Sequence, residues 1–322
     1  MNTRVRMHKI GTQLSRRCLL QRTAIVGVGM MAAPLLGRAA LAAAPKLKTV
    51  EDGVITIAMS GAMPMTGYED GKIMGSDAQM IAAIANKLGL GVKPAIMQWS
   101  ATIEAIRSGR ADIMVGNMSW TPKRADAMLL TDAIYYAGNL ATMRQDMPFK
   151  DSIGIEDFKG YSLGTSVGYN FVPDLKKIPD AKEVKLYDTD DAAIRDVQAG
   201  RLDFAFLDGP EVDYMVLKNP DLKLKQVPLR STEGYPLLTD KGIAVMGMSL
   251  ENPDLLDAFN AGIKWLWSSK TNADILAKNG MTSPDYLVAP AKNPRVGVDR
   301  DDSSNILGPA AHTPKDFSSL FA

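Results

Sequence analysis

The sequence predicts an α/β protein made of two lobes, and three observations carry that expectation. From Val54 onward, short β-type runs alternate with helical ones, the pattern of sheets covered by helices. The segment Ala105-Ile106-Arg107-Ser108-Gly109-Arg110-Ala111-Asp112-Ile113-Met114 is echoed further on by Ala193-Ile194-Arg195-Asp196-Val197-Gln198-Ala199-Gly200-Arg201-Leu202-Asp203-Phe204, which implies one such unit in each of two lobes. The length, 322 residues of which 46% are hydrophobic, suits two cores at ~100–200 residues per domain.

The elements follow in order. Residues 1–42 carry seven basic side chains and no acidic one. Ser15-Arg16-Arg17-Cys18-Leu19-Leu20 precedes an apolar stretch over 23–36, and Ala40-Leu41-Ala42 offers the small residues a signal peptidase needs. That order reads as a twin-arginine signal peptide cleaved near Ala42, and the apolar stretch is too short to cross a bilayer. The mature chain would then keep no cysteine and one histidine, His312. Disulfides, thiolate metal sites and Ser/His/Asp triads are excluded on that reading, and no cofactor is expected. Without residues 1–42 the chain carries 30 basic against 36 acidic residues. No basic block remains for a phosphate backbone, so nucleic acid is not an expected partner.

A β-rich run at 54–59 is followed by a helical pattern over 77–88 (Met80, Ile81, Ile84, Ala85, Leu88) that Gly89 stops. Ser100 is expected to cap a second helix containing Ile103 and Ile106, and 111–116 reads as a buried strand. In the second lobe the helix and strand of the echo occupy 191–200 and 201–208. A strand at 242–246 and an amphipathic helix over 254–267 close the fold. Residues 290–322, rich in Pro, Asp, Ser and Asn without periodicity, read as a mobile polar tail. Asp299, Asp301 and Ser303 resemble a calcium loop that lacks its Gly and distal Glu.

Open parallel sheets bind ligands beyond the carboxyl ends of their strands, here after Gly116 and after Leu207. The first of these loops, Asn117-Met118-Ser119-Trp120-Thr121-Pro122-Lys123-Arg124, gathers hydroxyls, amides and a guanidinium suited to an anion.

With these residues the chain resembles the family 3 extracytoplasmic solute-binding proteins, the polar amino-acid receptors of ABC importers. The resemblance spans 50–289 and rests on five stretches in order. They are Gly71-Lys72-Ile73-Met74-Gly75-Ser76-Asp77, the loop 117–124, Thr131-Asp132-Ala133-Ile134-Tyr135-Tyr136, the glycine loop over 160–171, and Leu207-Asp208-Gly209-Pro210. It implies the two-lobe periplasmic binding protein fold (type II) with lobe one at 50–137 plus 241–289, lobe two at 138–240, and hinge strands near 136–139 and 238–241. It further implies a monomer that captures an amino acid or small carboxylate and docks on an inner-membrane ABC permease. Arg124 would hold the α-carboxylate with Ser119 and the backbone at Asn117, and Asp208 the α-ammonium. Gly168 with Tyr169 and Asn170 would form a second shelf, preferred over 164–166, with Asn170 capping a helix from Phe171. Trp99 and Tyr68 would wall the side-chain pocket, and Trp120 either joins them or sits in the core.

The stretch Met59-Ser60-Gly61-Ala62-Met63-Pro64-Met65 departs from the family, which often places an aromatic or an Asp there. A neutral, apolar or aromatic ligand side chain is therefore expected. Two other classes share the fold: a periplasmic accessory protein serving a partner such as a quinoprotein dehydrogenase, and a prephenate-type dehydratase. The second lacks an evident carboxylate pair at either strand end. The mature chain's methionines are read as core filler rather than a copper site.

Overall fold

A computed structural model describes residues 46–322, so the signal-peptide expectation lies outside the described residues. Two five-stranded sheets organise the chain. In the first, Val54–Met59 lies between Gly91–Ile96 and Ile113–Met114, parallel to both. Gly247–Met248 then runs antiparallel between Ile113–Met114 and Leu129–Leu130. In the second, Ser162–Ser166 is parallel to Glu183–Tyr187 and to Phe204–Asp208. Asn139–Arg144 runs antiparallel between Phe204–Asp208 and Leu224–Pro228. The chain crosses between the sheets twice, beside a two-stranded ribbon in which Tyr135–Ala137 pairs antiparallel with Gly242–Ala244.

The runs become strands and helices for the expected reasons. Helix Ser76–Lys87 buries Met80, Ile81, Ile84 and Ala85 on one face and ends before Gly89, whose φ of 74° closes the turn without the Cβ clash any other residue would meet. The next helix, Trp99–Arg107, starts at Gln98 rather than at the expected Ser100, and no side chain caps it. Helix Pro253–Ser268 lays Leu255, Phe259, Ile263 and Leu266 against the first sheet's core. The second lobe's core is more aromatic: Phe158, Phe204 and Phe206 meet edge to face at centroid distances of 5.1–5.2 Å.

The expectation of a solvated tail at 290–322 is overturned. Arg295, Asp299 and Arg300 are all under 8% exposed. Arg295 donates to the carbonyls of Thr131 (2.6 Å) and Leu130 (3.1 Å), pairs with Asp299 at 2.7 Å, and lies 6.0 Å over the Trp120 ring. Arg300 donates to Leu130 O at 2.8 Å. Asp301, part of the calcium-like spacing, instead accepts from the amides of Ser303 and Asn305 and so closes its own loop. His312 Nε2 and the Lys315 amide both reach the Asp257 carboxylate at 2.8 Å. Phe317 and Phe321 are buried in the first lobe's core, Phe321 with its ring centroid 6.0 Å from that of Trp265. The segment lacks periodicity because single anchors, not a continuous stripe, hold it down.

Phe321→Ala should therefore lower stability by about 3 kcal/mol, the cost of emptying a phenyl site in a packed core. Urea unfolding of the variant checks this, and an unchanged midpoint would mean the segment does not complete the core.

Candidate functional site

A cleft of about 400 Å³ lies between the lobes, lined from both sides. Lobe one contributes Met63, Met65, Trp99, Asn117, Ser119 and Arg124. Lobe two contributes Ser166, Tyr169, Asn170, Asp190, Asp208 and Glu211, among others.

Arg124 stands in the short helix Pro122–Ala127, whose cap Thr121 accepts the Arg124 amide through its hydroxyl at 3.1 Å. The guanidinium is only 8% exposed, donates to Ser119 O at 2.7 Å, and lies 5.8 Å over the Trp99 ring. Its approach to Gly168 O is long, 3.5 Å. No carboxylate among the described residues lies within ion-pair distance of it, and burial pulls its pKa down to about 10, opposed by Asp208. A buried cation facing a cleft without a counter-ion is a site prepared for an anion.

Asn117 connects the lobes. Its backbone is left-handed (φ 45°), a conformation Asn tolerates better than most residues and that functional loops often hold. Its amide donates to Asp77 Oδ2 at 2.8 Å, and its side-chain Nδ2 donates to Asp208 Oδ1 of the other lobe at 2.8 Å. Asp77 is fully buried and also accepts from the Tyr135 hydroxyl (3.1 Å) and Ser76 Oγ (2.8 Å), so its chief role is to hold Asn117 in place. Burial raises the Asp77 pKa to about 6 against those hydrogen bonds.

Asp208, half-buried, ends strand Phe204–Asp208, and the part of its side chain left accessible lines the cleft. Its pKa is pushed up to about 8, mainly by loss of hydration, with repulsion from Asp190 and Asp77 adding to it and Asn117 and Arg124 opposing. Three residues along helix Gly209–Lys218 stands Glu211, on the same face as Asp208. Asp190 opens helix Asp190–Gln198 and accepts from the hydroxyls of Ser166 and, at 3.1 Å, Tyr169. Paired carboxyls therefore do stand at a strand end, contrary to expectation. Asp190 and Glu211 were missed because they meet only once parallel strands bring residues 187 and 208 to the same sheet edge. The run Asp188-Thr189-Asp190-Asp191 immediately after a strand was the available signal.

Of the anticipated site residues, Arg124, Asp208, Ser119, Asn117, Trp99 and Asn170 all line this cleft. Gly168 is not among the lining residues; it lies beside the cleft, its carbonyl 3.5 Å from Arg124 Nη2 and its backbone close to Trp99. At φ 97° it packs so near that an added Cβ would lie 3.1 Å from the indole Cδ1. Tyr68 does not belong. It sits in the hairpin strand Gly67–Glu69 opposite Ile73, 45% exposed, where the hairpin projects into solvent and Glu69 beside it is exposed as well. Met63 and Met65 take the wall instead. Asn170 caps nothing: the short helix Val172–Leu175 has Phe171 at its N-cap and no side-chain cap bond. Trp120 is core, 7% exposed.

Two lobes joined by a two-stranded ribbon, with opposite charges presented across a shared cleft, define a protein that binds a small solute between its lobes. The chain belongs to the bacterial extracellular solute-binding proteins, family 3, whose model matches residues 55–282. Among named relatives, it is 26% identical over 178 residues to the probable amino-acid-binding protein YxeM of Bacillus subtilis, covering 54% of this chain and 66% of that one. It is 23% identical over 218 residues to the L-cystine-binding protein TcyJ of Escherichia coli, covering 67% and 78%. Among solved structures, an ancestral arginine-binding protein bound to glutamine superposes with a TM-score of 0.62 at 24% identity, covering 72% of this chain and 99% of that one. The ancestral amino acid-binding protein AncCDT-1, described as a precursor of cyclohexadienyl dehydratase, gives 0.60 at 20% identity, covering 70% and 95%.

Proposed function

We propose that this chain is exported to the periplasm and captures an amino acid by closing its lobes, acting as a monomer that delivers the ligand to an inner-membrane ABC permease. The reading is carried by the pair Arg124 and Asp208, a buried guanidinium without a carboxylate partner among the described residues on one lobe and a poorly hydrated carboxylate on the other. An α-amino acid supplies the complement to each. Because each lobe holds one charge, the ligand binds the closed state better than the open one, and that difference drives closure.

Thermal unfolding against the amino acids and small carboxylates tests it. Ligand at ~1,000 times its dissociation constant adds about 4 kcal/mol to native stability. Stabilisation by amino acids alone is expected. Silence across the panel would overturn the reading and favour the accessory-protein role.

One observation favours a dehydratase as the second reading: Asp208 and Glu211 both hold their protons more tightly than ordinary carboxyls, as a general acid must. Incubation with prephenate or arogenate separates the two, and no turnover is expected.

A further inference from the structure

The side chain of Asn117 is not needed for the backbone it sits on. A residue at φ 45° is least strained as glycine, yet this chain keeps an amide there. The backbone itself is fixed from lobe one. Asp77, fully buried in the first turn of helix Ser76–Lys87, accepts the Asn117 amide at 2.8 Å. Its other partners include the hydroxyls of Ser76 and Tyr135, neutral donors both. Tyr135 opens the ribbon strand Tyr135–Ala137 that joins the lobes, and its ring meets that of Tyr286 edge to face at 6.1 Å. A hydrogen-bonded path thus runs from the ribbon through Asp77 to Asn117.

From that anchor the side chain reaches across the cleft. Nδ2 donates to Asp208 Oδ1 at 2.8 Å, the one hydrogen bond to that carboxylate among the described residues. Asn117 Oδ1 is enclosed and has no partner among them. Turning the amide over would set Oδ1 against the Asp208 carboxylate, replacing a charge-assisted bond with repulsion between oxygens. The unpaired carbonyl is therefore tolerated because Nδ2 is aimed at the other lobe. Asp208 is left with one oxygen held and the other, Oδ2, without a partner among the described residues. The donation also favours the ionised carboxylate against its loss of hydration.

We propose that the Asn117 side chain is a positioning residue for the ligand's α-ammonium: rooted in lobe one, it fixes Asp208 Oδ1 and leaves Oδ2 oriented to receive the ammonium. This rests on the assignment of Asp208 to that group. Because Asn117 and Asp208 belong to different lobes, the acceptor is complete only when the lobes have approached. Recognition of the ammonium and closure are then coupled through one amide.

Isothermal titration tests this, with the proteinogenic amino acids as probes and, beside each that binds, the 2-hydroxy acid of the same side chain, whose hydroxyl replaces the ammonium. The native protein should prefer the amino acid by about 100-fold. In Asn117→Gly the left-handed backbone is unstrained and only the side chain is lost. The preference should there narrow about tenfold, the weight of one hydrogen bond to a charged group. On an Asp208→Asn background, adding Asn117→Gly should change amino-acid affinity less than about twofold, because the carboxylate through which it acts is gone. A preference that Asn117→Gly leaves undiminished, whether both affinities fall together or neither falls, would overturn the proposal and leave the amino-acid reading standing. So would a full tenfold loss on the Asp208→Asn background. Binding of no amino acid to the native protein would overturn both. Asn117→Ala removes the same amide and serves in its place should the glycine variant not fold.

Discussion

Arg124→Ala should lower amino-acid affinity by about 100- to 1,000-fold, the cost of leaving a buried ligand carboxylate without its partner. Calorimetry reads this directly, as does loss of the ligand-induced rise in melting temperature. The ligand-free variant should melt within a few degrees of the parent, because the guanidinium orphans no carboxylate among the described residues, only the Ser119 carbonyl loses a donor, and the Thr121 hydroxyl still caps the helix through the backbone amide. Arg124→Lys should recover only part of the affinity: an ammonium keeps the charge but loses the planar fork that meets two carboxylate oxygens together. Wild-type affinity in the alanine variant would remove Arg124 from the site.

Asp208→Asn should produce the opposite pairing of effects. Binding falls by a similar factor, because an amide cannot balance the ligand's ammonium, while the ligand-free protein closes more readily. The sign follows from the raised pKa of about 8 with the lobes as they stand here, Asn117 reaching Asp208 across the cleft at 2.8 Å. An open cleft rehydrates the carboxylate and returns it toward its ordinary value of 3.8, so the closed form binds the proton more tightly and acid favours closure. Above about pH 8 the parent bears the full cost of an ionised, poorly hydrated Asp208 when it closes. The cost fades as pH falls toward 4. Asp208→Asn removes it at every pH. Small-angle scattering of ligand-free protein should show the variant more compact than the parent at pH 8–9 and the two converging near pH 5. A pH-independent difference, or none, would contradict this account. The same carboxyl then carries both functions: its poor hydration when empty keeps the cleft from closing without cargo, and its charge holds the cargo once present.

The sequence was most informative where a local signal and a topological rule coincide. The Ala-Ile-Arg echo located equivalent strand ends at Ile113–Met114 and Phe204–Asp208, and the loops beyond them carry Asn117, Ser119, Arg124 and Asp208 in one cleft. Tyr68 failed because a three-residue hairpin strand gives too little pattern to say which way its side chain turns. Asp190 and Glu211 were hidden for a different reason: their significance lies in proximity to each other, which sheet order creates and chain order conceals. Residues 290–322 misled through composition. Their Pro, Asp and Asn content resembles that of solvated segments, yet Arg295 and Arg300 bind backbone carbonyls at Leu130 and Thr131, and two phenylalanines complete a core already built. A buried arginine bound to carbonyls leaves no periodic trace.

The insertion of Gly247–Met248 between Ile113–Met114 and Leu129–Leu130 has a consequence for the order in which the lobes can form. Every strand of the second sheet lies within one unbroken stretch, from Asn139 to Pro228, so that lobe has all its parts as soon as the stretch has emerged from the ribosome. The first sheet waits. Leu129–Leu130 joins it only through a strand more than a hundred residues further on, and that closure carries the entropy of a long loop unless the second lobe has already folded and shortened it. The later-made lobe is thus the natural first to fold, and it serves as the splint on which the earlier-made one is finished.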